Sequence, residues 1–309
     1  MWPLSPRLCT LLAISACLPA LTGLHAAQRT WQEQVASVAI STEGVDYIES
    51  GEASRALKTY SKALDIDPYN ADARLKRGGI YLQLPKPDFA AARRDFQVYC
   101  RAHPNQARGW EALYSVALYS GDFRLAGHAA RTLLDMDARS GPYRLALARS
   151  LLGRGRYEEA ASLAIDTLSP RYAFDRGARA ECYVLACTAQ VLLGDNSEAA
   201  RLAKRGLTRA LPDHWAYPVL RHLQGLSEAG DFIDAAGSSA RQGGYREKAL
   251  YYAGIRAIQL GDYPLALEYL DQAVETGAPA TFEHRFAKAV AVRLRGAIDP
   301  ATAPPAHPR

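Results

Sequence analysis

Residues 44–68 read GVDYIESGEASRALKTYSKALDIDP, and this stretch decides the fold. Gly44 is followed three positions on by Tyr47, then by Gly51, Ala56, Tyr60, Ala63 and Pro68. The order reads as two antiparallel helices joined by a tight turn. Gly51 lets the chain leave the first helix in a left-handed conformation, which a side chain would disfavour. The alanines let two helices approach closely, Tyr60 fills the space between them, and Pro68 stops the second helix.

The same order returns down the chain. Gly78 and Tyr81 lie 34 residues after Gly44 and Tyr47, while Ala92, Phe96 and Pro104 lie 36 after Ala56, Tyr60 and Pro68, so two residues are inserted at Leu84-Pro85-Lys86-Pro87. A third unit opens with Trp110 and Leu113 and turns at Gly121-Asp122-Phe123, and a fourth turns at Gly155-Arg156-Tyr157. Looser copies turn at Gly194-Asp195, Gly230-Asp231 and Gly261-Asp262. Where an Asp follows the turn glycine, as at Gly121-Asp122, Gly194-Asp195, Gly230-Asp231 and Gly261-Asp262, it is placed to cap the helix that follows. A period near 34 with this Gly, Tyr, Ala and Pro order resembles the tetratricopeptide repeat. That resemblance implies an all-α, right-handed α-solenoid of about seven helix pairs, spanning residues 27–296. One pair cannot bury its apolar faces alone, so stacking supplies the core. Residues 281–296, with Phe282, Phe286, Ala289 and Val290 on one side, are expected to form a C-terminal capping helix, and residues 28–40 a lead-in helix. The tail 297–309 carries four prolines and is expected to be disordered.

Outside the repeats, the N-terminus stands apart. Arg7 precedes an apolar run from Leu8 to Leu24, followed by Ala26 and Ala27, which reads as a secretory signal over residues 1–26. Two processing routes compete: cleavage after Ala26, or a lipobox at Ile14-Ser15-Ala16-Cys17 that would lipidate Cys17. The apolar continuation Leu18-Pro19-Ala20-Leu21 favours the first. The expected location is the periplasm, with an outer-membrane lipid anchor if Cys17 is acylated.

Composition excludes several functions. A net charge of +5 over 309 residues, with both signs interleaved and no basic stripe carrying aromatics, argues against nucleic acid. Cys100, Cys182 and Cys187 read as buried single thiols. No HExxH, Gly-x-Ser-x-Gly or P-loop pattern is present, and Glu283-His284 are neighbours that face different ways on a helix. No metal, no cofactor and no catalytic group is therefore expected.

Binding is the remaining function. By repeat phase, the first helices are expected to present Arg108, Glu111, Ser115, Leu118, Tyr119, Leu145, Arg149, Leu152, Val184, Thr188, Tyr251 and Ile255 on a concave face. Such a mixture of Tyr, Leu and Arg suits a protein partner. The Lys and Asn set with which chaperone-binding members clamp a C-terminal carboxylate is absent from the corresponding positions. The segment Ala273-Val274 to Phe282-Glu283-His284-Arg285-Phe286-Ala287, preceded by Leu260-Gly261-Asp262, resembles the end of the enterobacterial new lipoprotein I family. That resemblance implies an envelope adaptor whose partners include a periplasmic protease or peptidoglycan hydrolases. An accessory subunit of a secretion or exopolysaccharide export complex is the alternative expectation.

Overall fold

The computed structural model describes residues 31–172, 174–237, 245–276 and 281–298. The signal segment with Cys17, the Gly243-Gly244 loop and the tail from residue 299 lie outside the described residues. Among the described residues the secondary structure is helical and no strand occurs. The chain divides into two compact units, Met1–Pro104 and Asn105–Arg309.

The first unit holds two helix pairs: α1 (31–49) with α2 (Ala53–Ile66), and α3 (Ala71–Gln83) with α4 (Phe89–Ala102). The lead-in helix and the first repeat helix are one helix, because nothing between residues 40 and 44 breaks it. The repeat glycines act here by lacking a side chain. A Cβ on Gly44 would lie 2.8 Å from the Tyr60 ring, and one on Gly78 would lie 2.5 Å from the Phe96 ring. The aromatic of each second helix thus seats on the backbone of its first helix, and Tyr60 and Phe96 are buried. The buried Asn70 is satisfied: its Nδ2 donates to Ser37 Oγ of α1 at 2.8 Å and its Oδ1 caps the Ala73 amide of α3.

The second unit continues the plan with α5 (Ala107–Ser120) and α6 (Phe123–Met136), α7 (Gly141–Gly153) and α8 (Tyr157–Thr167), α9 (Arg176–Leu193) and α10 (Asn196–Leu207). Next come α11 (Ala216–Leu223) and α12 (Ala229–Gly237), α13 (Tyr245–Leu260) and α14 (Tyr263–Glu275), and finally α15 (Phe282–Ile298). Gly121, Gly155, Gly194 and Gly261 adopt the left-handed turn conformation expected of them, and Asp122, Asp195 and Asp262 cap the helices that follow. The sixth turn departs from expectation. Gly230 lies inside the first turn of α12, and the left-handed residue is Gly225, five positions earlier. Gly225-Leu226 closes α11 after only two turns of helix, so the Gly-Asp pair that resembles a turn is spent inside the next helix. Cys182 and Cys187 are buried and unpaired in α9.

Candidate functional site: the inner face of the second unit

The first helices α5, α7, α9 and α13 turn one face toward a common space, and α15 lies in it. As expected of a cap, α15 packs on α14, yet it also reaches α13, α7 and α5. Its amphipathic face explains why. Phe286 and Phe282 stand one helical turn apart, with ring centroids 5.4 Å from each other. Phe286 packs at 5.3 Å from the Phe123 ring and 6.2 Å from that of Tyr251, in the tilted geometries aromatic rings favour.

Two arginines fix the register of α15 along the turns. Arg285 Nε donates to the carbonyl of Tyr119 at 2.9 Å, and an Arg293 guanidinium nitrogen donates to that of Gly153 at 2.7 Å. Those carbonyls belong to the last turns of α5 and α7, which helix geometry leaves without internal partners and with partial negative charge. Eight residues of helix rise about 12 Å, so this arginine spacing steps α15 from one repeat to the next.

Between these anchors lies a charged cluster. Arg149 on α7 pairs with Glu181 on α9, and its guanidinium sits 5.0 Å from the Phe282 ring centre. Trp215 Nε1 donates to the other Glu181 oxygen at 3.1 Å. The Lys248 ammonium lies 3.8 Å from the Trp215 ring centre and 3.4 Å from Glu283 Oε1. Glu283 is fully buried, and among the described residues neither of its oxygens accepts a hydrogen bond of good geometry. Burial pushes its carboxyl above the usual range, against the pull of Lys248 and Arg149. A cavity of about 20 Å³, room for a single water, remains among Arg149, Glu181, Thr188, Tyr252 and Phe282.

The face expected from sequence is therefore real in position but differently used. Arg108 and Glu111 are exposed on α5, Glu111 accepting from the Tyr143 hydroxyl at 2.6 Å. Ser115 donates to the Glu111 carbonyl at 2.9 Å, and Tyr119 and Arg149 meet α15. Leu118, Leu145, Leu152, Tyr251 and Ile255 are at most 4% exposed, as are Val184 and Thr188, so these form the core and offer no surface to a partner. Phase within a repeat cannot separate the two cases, because whether an inner-face Leu is covered depends on helices far away in sequence. The residues that sequence reasoning missed are Glu181, Trp215, Lys248, Glu283, Arg285 and Arg293. The eight-residue arginine spacing in 285–293 was the legible signal. The described histidines have structural surroundings: His222 is buried against Phe232, with ring centroids 4.5 Å apart, and its Nδ1 lies 3.1 Å from the Ser227 carbonyl.

Comparison with known proteins agrees with this architecture. A family model described as TPR repeat matches residues 44–84, and one described as Tetratricopeptide repeat matches residues 112–175 and 251–301. The chain carries tetratricopeptide repeats. Two curated relatives, Hsc70-interacting proteins 1 and 2 of Drosophila melanogaster, are each 34% identical over 82 residues, 26% of this chain. That match spans 21% of the length of each relative. A solved tetratricopeptide repeat protein from Parabacteroides merdae superposes with a TM-score of 0.55 at 13% identity, covering 82% of this chain and 98% of its own. The MamA protein superposes with a TM-score of 0.50 at 18% identity over 58% of this chain and 92% of its own. YrrB, described as a TPR protein with an unusual peptide-binding site, does so with a TM-score of 0.50 at 19% identity over 59% and 89%. At these identities the likeness is one of fold. Among the described residues no helix is long and apolar enough to cross a membrane, and no group of three or more His, Cys, Asp or Glu could hold a metal ion.

Proposed function

We propose that this chain is a non-enzymatic scaffold of the bacterial cell envelope, binding partner proteins through the inner face of its repeats. The observation that carries the reading is that this face already holds a helix by aromatic, ionic and carbonyl-capping contacts. A surface with those groups has the aromatic and arginine anchors that protein interfaces concentrate. The envelope part rests on the secretory reading of residues 1–26, and the kind of partner, a periplasmic protease or peptidoglycan hydrolase, on the resemblance of residues 260–287 to the new lipoprotein I family. Arg108, Glu111, Ser115 and Tyr119 remain the expected partner contacts on α5, with Arg149 beside them. Cys17 remains the expected lipid attachment point if the lipobox is used.

The test is crosslinking capture from envelope extract by the chain from Gln28 to Arg309, with bound proteins identified by mass spectrometry. A protease or peptidoglycan hydrolase retained by the unaltered chain, and reduced at least tenfold by Arg108→Ala with Tyr119→Ala, supports the scaffold. A secretion or polysaccharide-export complex retained in its place would change the pathway. Retention unaffected by these changes would sink the inner face as the binding surface.

A further inference from the structure

The second unit binds a helix of its own, and the fit of that helix is incomplete. Three features make α15 a good ligand: Phe282 and Phe286 among Phe123, Tyr251 and Arg149, Arg285 on the end of α5, and Arg293 on the end of α7. One feature makes it a poor one. Glu283 gives up its water on entering the unit and recovers a 3.4 Å contact with Lys248 and the longer-range pull of Arg149, which together do not offset its burial. A buried carboxyl whose partners do not make up for its lost water opposes binding. In the outer half of α15, Val292 and Ile298 leave apolar surface uncovered, at 39% and 54% exposed.

We propose that α15 is an internal ligand plugging the inner face, and that the partner taken up there presents a helix of the same order, Phe-Glu-x-Arg-Phe with a second arginine eight residues beyond the first, and displaces α15. The complementarity is one of charge and shape together. Cations at Arg149 and Lys248 face the acid, helix ends at Tyr119 and Gly153 face the two arginines, and the rings of Phe123 and Tyr251 receive the phenylalanines. A second copy of this chain carries the same helix, but it competes with an attached one whose effective concentration is on the order of millimolar. A partner helix whose acid reaches Lys248 more closely than the 3.4 Å of Glu283 lessens the defect that α15 carries, and so competes where a second copy does not. The proposal rests on the reading of the inner face as a protein-binding surface.

The test uses the chain from Gln28 to Arg309 and a fluorescent peptide of residues 281–298, TFEHRFAKAVAVRLRGAI. The unaltered chain should bind the peptide weakly, and the chain carrying Phe282→Ala with Phe286→Ala at least tenfold more tightly, because its own helix no longer competes. A peptide with the same two changes should bind neither. Equal affinity of the two chains overturns the plug. If circular dichroism shows that the altered chain has lost its helices, hydrogen exchange on the unaltered chain decides. Millimolar peptide should then speed exchange of the 282–298 amides at least tenfold, and unchanged exchange overturns the proposal. An unaltered chain that is a dimer, and becomes monomeric as peptide is added, would make the occupant a second copy and also overturns it. Peptide displacement without any envelope partner would leave the plug standing and remove the scaffold. A partner bound equally by both chains would do the reverse.

Discussion

Phe286→Ala isolates the claim that α15 is seated among the first helices and does more than cover α14. Phe286 is 3% exposed and touches rings on three other residues: Phe123, Tyr251 and Phe282. Truncating a buried phenylalanine costs about 3–5 kcal/mol, combining lost transfer energy with the cavity left behind. Aromatic pairs add about 0.5–1.5 kcal/mol each, but α15 can shift inward to close part of the gap. The expected loss is therefore near the low end, about 3 kcal/mol. Urea denaturation followed by circular dichroism measures it, provided a single transition is seen, since repeat arrays can unfold in stages. Hydrogen exchange supplies the spatial signature. Protection should fall throughout 282–298 and also in the last turns of α5 and α7, whose carbonyls Arg285 and Arg293 cap. A loss under about 1 kcal/mol, the size of an ordinary surface change, would refute the buried position of Phe286. A loss confined to α14 and α15 would show that α15 is only a cap.

Three further outcomes follow from the same geometry. Gly78→Ala places a methyl 2.5 Å from the Phe96 ring and should destabilise the first unit by about 1–3 kcal/mol, although alanine is the better helix former, as a thermal melt would show. Glu283 has a folded-state pKa above its usual 4.5, so its contribution to stability is complete below that value and is lost as pH rises through the folded one. The urea midpoint of the unaltered chain should accordingly fall, relative to that of Glu283→Gln, as pH rises from 4.5 to 8, and parallel profiles would show that the carboxyl is not desolvated. Burial raises the Cys100 thiol to about 11 and that of Cys182 to about 12, and raises Cys187 as well. In the chain from Gln28, a thiol reagent should label these three only on unfolding, and fast labelling of the native chain would contradict their burial.

What the amino-acid order determined by itself is the repeat. Local chemistry suffices for it: glycine where the backbone turns left-handed, aspartate where an amide needs a cap, and Gly44 or Gly78 where an aromatic must rest on a helix. Each of these works within some 20 residues, so each leaves a trace at a fixed spacing. The sixth turn shows the limit of that reading. Gly230-Asp231 has the right letters, but Gly225 takes the left-handed conformation because α11 ends early. The use of the inner face was settled only in three dimensions. Leu118, Leu145, Leu152, Tyr251 and Ile255 share a repeat phase with Arg108 and Tyr119. What separates core from surface among them is packing between helices far apart in sequence, and the most distant of these is α15. Its arginines find the carbonyls of residues 166 and 140 positions earlier, a pairing no local pattern encodes. Glu283 shows the same division: beside His284 its sequence context gives it no special role, yet it is the most deeply buried charge of the cluster, because the fold brings Lys248 and Arg149 to it.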